Sequence, residues 1–252
     1  MMPRVHYFDR VGSTMDVAHH LAAEAAEAGT AVIAGEQLEG RGSRGRSWHS
    51  PPGGLWLSVL FRPPSIEGLE VMSLRAGMAV ADAVEALVPE PLQLKWPNDL
   101  MLMGRKVGGV LCEARWQGDI IGWIAVGVGL NLRNRIPDEL TNVATRLADT
   151  RPNLTPETVA PNVLTALRQL QFDTGQLSEP ELKQFEARDY LRGRVIREPV
   201  SGIVRGLSEG GALLVLTAAG TDISLRSGSV ELADSFTAGT SDHAARARHR
   251  QY

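Results

Sequence analysis

The chain has 252 residues and carries 26 Lys and Arg against 29 Asp and Glu, a formal net charge of −3. A folded chain of this length buries roughly 70% of the surface it exposes when extended, enough for a large core without a disulfide or metal staple, as one domain or a large plus a small one. With 43% hydrophobic and 22% charged residues, collagen, coiled coil and wholesale disorder are excluded, and the near-neutral charge argues against a dedicated nucleic-acid binder.

Arg4 to Phe8 reads as a short strand. Ser13 or Thr14 then caps a helix expected to run to about Glu27, with Gly29 as its stop. Thr30 to Glu36 is a buried-type strand. Leu38 to Gly54 follows, rich in Gly, Arg, Ser and Pro, and leads into a strong strand, Leu55 to Phe61, closed by Pro63 and Pro64. Glu70 to Leu87 is an Ala-rich helix that exits at Pro89 and Pro91. Leu92 to Trp96, Leu100 to Met103, Lys106 to Arg115 and Ile120 to Val128 are predicted strands, joined by short turns centred on Gly104 and Gly118. Two helices are expected at Pro156 to Phe172 and Glu179 to Tyr190. Short β-type runs at even spacing then suggest a small barrel. The predicted organisation is therefore α+β: a large domain over 1–190, a barrel over 191–234 and a disordered tail over 235–252.

The single cysteine, Cys112, excludes an internal disulfide and any Cys-based zinc cluster, and alternation with apolar neighbours marks it as a small buried hydrophobe. No His spacing suits a metal. No apolar run reaches signal-peptide or membrane-spanning length, so a soluble, cytoplasmic chain is expected. Among the 26 basic residues only Lys95, Lys106 and Lys183 are lysines. A lysine in so arginine-rich a chain points to a need for a compact, flexible ammonium, with chance as the alternative.

Gly40 to Trp48 carries three arginines, Arg41, Arg44 and Arg46, interleaved with Gly40, Gly42 and Gly45. Guanidinium groups so close together call for water or an anion between them. The glycines let backbone N–H groups turn toward a bound oxyanion, and Trp48 offers a face on which a base can stack. The competing readings are a solvated loop or an RGG-type RNA-binding tract. A second cluster runs Lys95-Trp96-Pro97-Asn98-Asp99, then Arg105-Lys106-Val107-Gly108-Gly109. Pro97 ends its strand and sets Asn98 and Asp99 where ligand-contacting groups collect, while Gly108 and Gly109 leave room for a ligand against bare backbone. Equally open is a hairpin with a surface Lys95–Asp99 ion pair. Gly127-Val128-Gly129-Leu130-Asn131 closes a strand and, by itself, says little.

In order and spacing, these segments, with Ser13-Thr14 near the start and Gln37 before the Arg-Gly loop, closely resemble biotin protein ligases, from about residue 5 to residue 232. The resemblance implies a mixed sheet flanked by helices, related to class II aminoacyl-tRNA synthetases, with a C-terminal SH3-like barrel. It implies that biotin and ATP give biotinyl-5′-AMP and pyrophosphate, and that the acyl group then passes to a lysine of a biotin carboxyl carrier protein. By resemblance, Ser13, Thr14, Met15, Gln37, Arg41, Gly42, Ser43 and the backbone near Gly109 hold biotin. Arg41, Arg44, Arg46, Trp48, Asn98, Asp99 and Asn131 hold ATP with its Mg2+, no metal being bound by protein alone, and Lys106 is the catalytic residue, beside the carboxylate and α-phosphate.

Two positions depart from the family pattern. Ser43 stands where many members carry a further arginine, and Met15 stands where asparagine is common. The first strand is read from residue 4, so no helix-turn-helix, DNA partner or repressor role is expected, nor a membrane partner; a homodimer is compatible with the sequence. The alternatives are a lipoate or octanoate ligase of the same superfamily, which should lack this Arg-Gly loop, and an RNA-binding protein, which would leave Lys106 and the glycine pair unexplained.

Overall fold

The computed structural model describes residues 3–63, 66–172 and 174–233, so the tail expected over 235–252 lies outside the described residues. A seven-stranded mixed sheet is formed by β1 (Val5–Val11), β2 (Ala31–Gln37), β3 (Leu55–Phe61), β4 (Gln93–Lys95), β5 (Asp99–Leu102), β6 (Arg105–Gln117) and β7 (Ile120–Leu130), in the spatial order β1-β2-β3-β7-β6-β5-β4. Only β1 and β2 run parallel, as their crossover through helix α1 (Thr14–Ala23) requires. All seven residues of β3 are buried. A strand covered on both faces reads as a continuous apolar run, and LWLSVLF is one.

The pleat divides the core. Ala31 and Ile33 of β2 join Val126 and Val128 of β7 on one face, under helices α2 (Met72–Glu85) and α3 (Pro156–Arg168). Val32 and Ala125 point the other way and pack with Met15 and Ala18 of α1. A second, antiparallel sheet comprises β8 (Val195–Glu198), β9 (Gly202–Leu207), β10 (Leu213–Leu216), β11 (Asp222–Leu225) and β12 (Glu231–Leu232), in the order β11-β10-β9-β8-β12. One apolar cluster extends from Leu57 through Leu94 and Trp96 to Ile196, Val204 and Leu213. Trp96 Nε1 also donates to the Gly211 carbonyl at 2.9 Å, joining the two sheets.

Several predicted helices are too long, for local reasons. Helix α1 stops at Ala23 rather than near Glu27. Ala25 turns the chain at φ 63°, and Arg62 donates to the carbonyls of Ala22 and Ala26 at 2.6 and 3.1 Å, closing the helix end. Helix α4 (Glu179–Glu186) stops short of Tyr190 because Leu94 engages the backbone of Arg188 and Tyr190 at 2.8 and 2.9 Å. The sequence predicts no element between β7 and α3. That segment returns along the sheet, where Lys106 N–H donates to Val143 O at 2.8 Å and Thr145 N–H donates to Lys106 O at 2.9 Å. Among the described residues, no helix is long and apolar enough to cross a membrane.

His19 ties α1 to the sheet. Trp123 Nε1 only donates, so His19 Nδ1 accepts from it at 2.9 Å, and Nε2 carries the proton given to Glu113 Oε2 at 3.0 Å. Burial pushes the imidazole below its ordinary value, against the pull of Glu113. The unfolded chain therefore takes up a proton first on acidification. This contribution to stability is complete above the unfolded value of about 6.5 and is lost as pH falls from there toward the lowered folded value. Melting temperature should fall on acidification between about pH 7 and pH 5. His19→Gln, which retains an Nε2 donor without titrating, should flatten that slope; an unchanged slope would locate the titration elsewhere.

Candidate active site

A cavity of about 690 Å³ opens on the α1 face of the large sheet, within the range of small-molecule sites, ~300–1,000 Å³. Its floor is bare backbone. Gly109 of β6 lies opposite Gly129 of β7, with Leu111 opposite Gly127. A Cβ on Gly129 would lie 2.5 Å from Trp48 Nε1, and one on Gly127 would lie 2.8 Å from Met15 Sδ. Glycine at these two positions is what lets the indole and the thioether settle against the strand.

One wall is a row of hydrogen bonds at the start of α1. Ser13 caps the helix, its Oγ accepting from Met15 N–H at 3.3 Å. Gln37 Oε1 accepts from Thr14 N–H and Oγ1–H at 2.8 and 3.0 Å, so Thr14 Oγ1 accepts from Ser58 Oγ at 2.8 Å. Gln37 Nε2 donates to Ser50 Oγ, and Ser50 Oγ donates to Trp48 O, at 2.9 and 3.0 Å. The row connects α1, β2 and β3 to the base of the Arg-Gly loop. The loop itself folds back, with Gly42 N–H on Arg46 O at 2.7 Å and Trp48 N–H on Gly40 O at 2.8 Å.

The other wall is charged. Lys106 Nζ lies 2.5 Å from Asp99 Oδ1 and 4.9 Å from the centre of the Trp48 ring, between an anion and a π face. The ion pair of this cluster is thus Asp99 with Lys106 rather than with Lys95. Lys95 is lowered below its ordinary value by burial, opposed by Asp99, with Lys106 adding to the depression. Asn98 Nδ2 donates to Val110 O at 2.7 Å, and Asn134 Nδ2 donates to Asn131 Oδ1 at 3.1 Å.

Of the residues the sequence singles out, Ser13, Thr14, Met15, Gln37, Arg41, Gly42, Ser43, Arg46, Trp48, Asn98, Asp99, Lys106, Gly109 and Asn131 all line this cavity. Arg44 does not. It adopts φ 63° and turns toward Ser229 Oγ, at 3.4 Å, in the loop before β12. Arg46 instead folds onto its own turn, reaching Ser43 Oγ at 3.0 Å. Lys95, Asn134, Arg135, Arg197 and Glu231 line the cavity as well and were missed as site residues. Lys95 had a signal in the rarity of lysine. Arg197 and Glu231, paired at 2.7 Å in the second sheet, had none, since their approach to the cavity depends on how the two sheets meet.

A profile of the biotin/lipoate A/B protein ligase family matches residues 7–131. The biotin protein ligase of Aquifex aeolicus, solved with biotin and ATP, superposes with a TM-score of 0.76 at 30% identity, over 91% of this chain and 98% of that one. The chain belongs to the biotin/lipoate A/B protein ligase family. Among curated relatives, the bifunctional ligase/repressor BirA of Bacillus spizizenii is 37% identical over 56% of this chain and 45% of its own length. The biotin–[acetyl-CoA-carboxylase] ligase of Paracoccus denitrificans is 40% identical over 40% of this chain and 43% of its own. The match thus spans about half the length of these relatives.

Within this ligase-family site, Trp48 is held by contact with bare strand. Adding a methyl at Gly129 overpacks the indole, a change that costs about 1–3 kcal/mol, or on the order of tenfold in loop opening. Gly129→Ala should be cut by trypsin within the Arg-Gly loop about tenfold faster than wild type while keeping its cooperative melt. Equal cleavage rates would show that the seat of Trp48 does not hold the loop.

Proposed function

We propose that this chain is an ATP-dependent biotin protein ligase. The observation that carries the reading is the convergence of the separate sequence segments on one ammonium, Lys106, set over a glycine floor between Asp99 and Trp48. In the first half-reaction, a biotin carboxylate oxygen attacks the α-phosphorus of ATP. The bond to the β-phosphate oxygen breaks and pyrophosphate leaves. In the second, the ε-amine of a lysine on a biotin carboxyl carrier protein attacks the acyl carbon, gives up a proton, and AMP leaves.

The residues suit these demands. The reaction brings a carboxylate against a triphosphate, and charge develops on the α-phosphoryl oxygens. In a site screened from water, well-aimed cations supply on the order of 3–4 kcal/mol each. Lys106, Lys95 and Arg46 all line the cavity. Ser13, Thr14 and Gln37 provide donors and acceptors for a ureido ring, and the bare strip of Gly109, Gly127 and Gly129, with Met15, Leu111 and Trp48 beside it, provides a trough. Asn98, Asp99, Asn131 and Trp48 take the nucleotide. Mg2+ fits as a companion of the triphosphate, which supplies its oxygen ligands. Among the described residues no cluster of three acids or histidines could cage it, and Asp99 and Glu231 are the carboxylates that line the cavity. The five-stranded second sheet is the counterpart of the family's SH3-like barrel, with the boundary near residue 190, and its Arg197 and Glu231 reach the cavity edge.

Pyrophosphate release should require biotin, with lipoate and octanoate inactive. Equal or faster release with lipoate would assign the chain to the lipoate branch, and release with none would favour the binding-protein reading. Lys106→Arg should stay folded yet lose adenylation by on the order of 10²-fold in single turnover, because a planar guanidinium displaces one reacting group by about 1 Å. Lys183, in an exposed pair with Glu179, is the control, and Lys183→Arg should match wild type. A Lys106→Arg rate near wild type would exclude Lys106 from the chemistry.

A further inference from the structure

Arg41 faces the cavity, and from behind its guanidinium is held by ion pairs alone, Nε and Nη2 making no hydrogen bond. Nη2 lies 2.7 Å from Asp16 Oδ1 on the first turn of α1, and Nε lies 3.6 Å from Glu113 Oε1 on β6. Neither acid lines the cavity. They differ in freedom. Asp16 is 52% exposed and can turn into water at little cost. Glu113 is 21% exposed, and its Oε2 takes hydrogen bonds from His19 Nε2 at 3.0 Å and Arg115 Nη2 at 3.2 Å. His19 is in turn fixed by the Trp123 indole at 2.9 Å. One acid is loose and the other is locked.

We propose that Asp16 is a resident counter-anion on Arg41 which a substrate oxyanion replaces, while Glu113, locked by His19 and Trp123, stays on the guanidinium and positions it. The inference rests on the ligase reading above for the identity of that oxyanion, the biotin carboxylate or the α-phosphate it attacks. It answers a problem of charge. Arg41, Arg44 and Arg46 lie within six residues, and without an anion their repulsion would push the loop open. Asp16 supplies that anion and thereby ties the loop to α1. On binding, the substrate takes over one face of Arg41 and Asp16 swings out, whereas the Glu113 side is unchanged. Glu113 and His19 are thus positioning residues, acting through Arg41, whereas Asp16 is a counter-ion that leaves before the chemistry.

The test uses the full chain. In Asp16→Asn without ligand, amide exchange at Gly42 and Trp48 should quicken by about two- to fivefold, the span of an exposed ion pair. In the same variant, the KM for biotin should fall by about two- to fivefold with kcat unchanged, because the competing anion is gone. Asp16→Glu should restore both. Glu113→Gln should do the opposite, raising KM and lowering kcat together. Unchanged exchange in Asp16→Asn, or a raised KM for biotin, would overturn the inference. Failure of the wild type to release pyrophosphate with biotin would overturn the ligase reading instead, and the exchange measurement, made without ligand, would still decide whether Asp16 pins the loop.

Discussion

The site depends on a stretch of sheet without side chains. Where β6 and β7 face α1, Gly109, Gly127 and Gly129 leave the strand backbone bare, and Met15 and Trp48 come within a Cβ radius of it. Everything else is arranged around that floor. The indole resting there presents its ring to Lys106, and Lys106 is held by the returning segment through Val143 and Thr145. A side chain on the strip would fill the cavity and displace the two groups that shape it. Large residues gather on the opposite face, where the same strands pack Val110, Val126 and Val128 beneath α2 and α3. The pleat thus lets one pair of strands serve as core on one side and ligand surface on the other.

The second organising influence is charge. Cations converge on the cavity from the Arg-Gly loop, from Lys95 of the edge strand β4, from Lys106 of β6 and from Arg197 of the second sheet. Three of them have a protein carboxylate within ion-pair distance: Asp16 and Glu113 for Arg41, Asp99 for Lys106, Glu231 for Arg197. The pairing lets like charges stand close before a phosphate arrives. It also leaves the site open to exchange, since a multiply charged oxyanion can displace a single exposed carboxylate. Arg44 is a different case. Its left-handed backbone turns it away from the cavity toward the second sheet, so it bears on how the loop sits.

Local pattern carried much of this organisation. The apolar run of β3, the Ser13 cap of α1, the hairpin turns at Gly104 and Gly118 and the glycines of β6 and β7 are all visible along the chain, because each reflects a requirement of the backbone within a few residues. The same holds for Lys106, exposed as unusual by the scarcity of lysine, and for the order of motifs that resembles one ligase family. The expected helices ran too long because propensity knows nothing of what competes for a helix end: the Arg62 guanidinium at α1, and the strand-like partner Leu94 at α4.

What the sequence by itself determined was the type of the main helices and strands, the apolar run of β3 and fourteen of the residues that line the cavity. Only the tertiary structure decided which charges meet. His19 finds Glu113 across 94 residues, and Trp123 finds His19 across 104. Arg197 and Glu231 come to the cavity from a separate sheet, and Arg44 leaves it through one backbone angle. Ion pairs and hydrogen bonds of this range have no period and no local signature, because the entropy of closing so long a loop is met by the whole core rather than by the pair itself. Asp16, His19 and Glu113 therefore read as ordinary surface residues in the chain, and become a connected support for Arg41 only once α1 lies across the sheet.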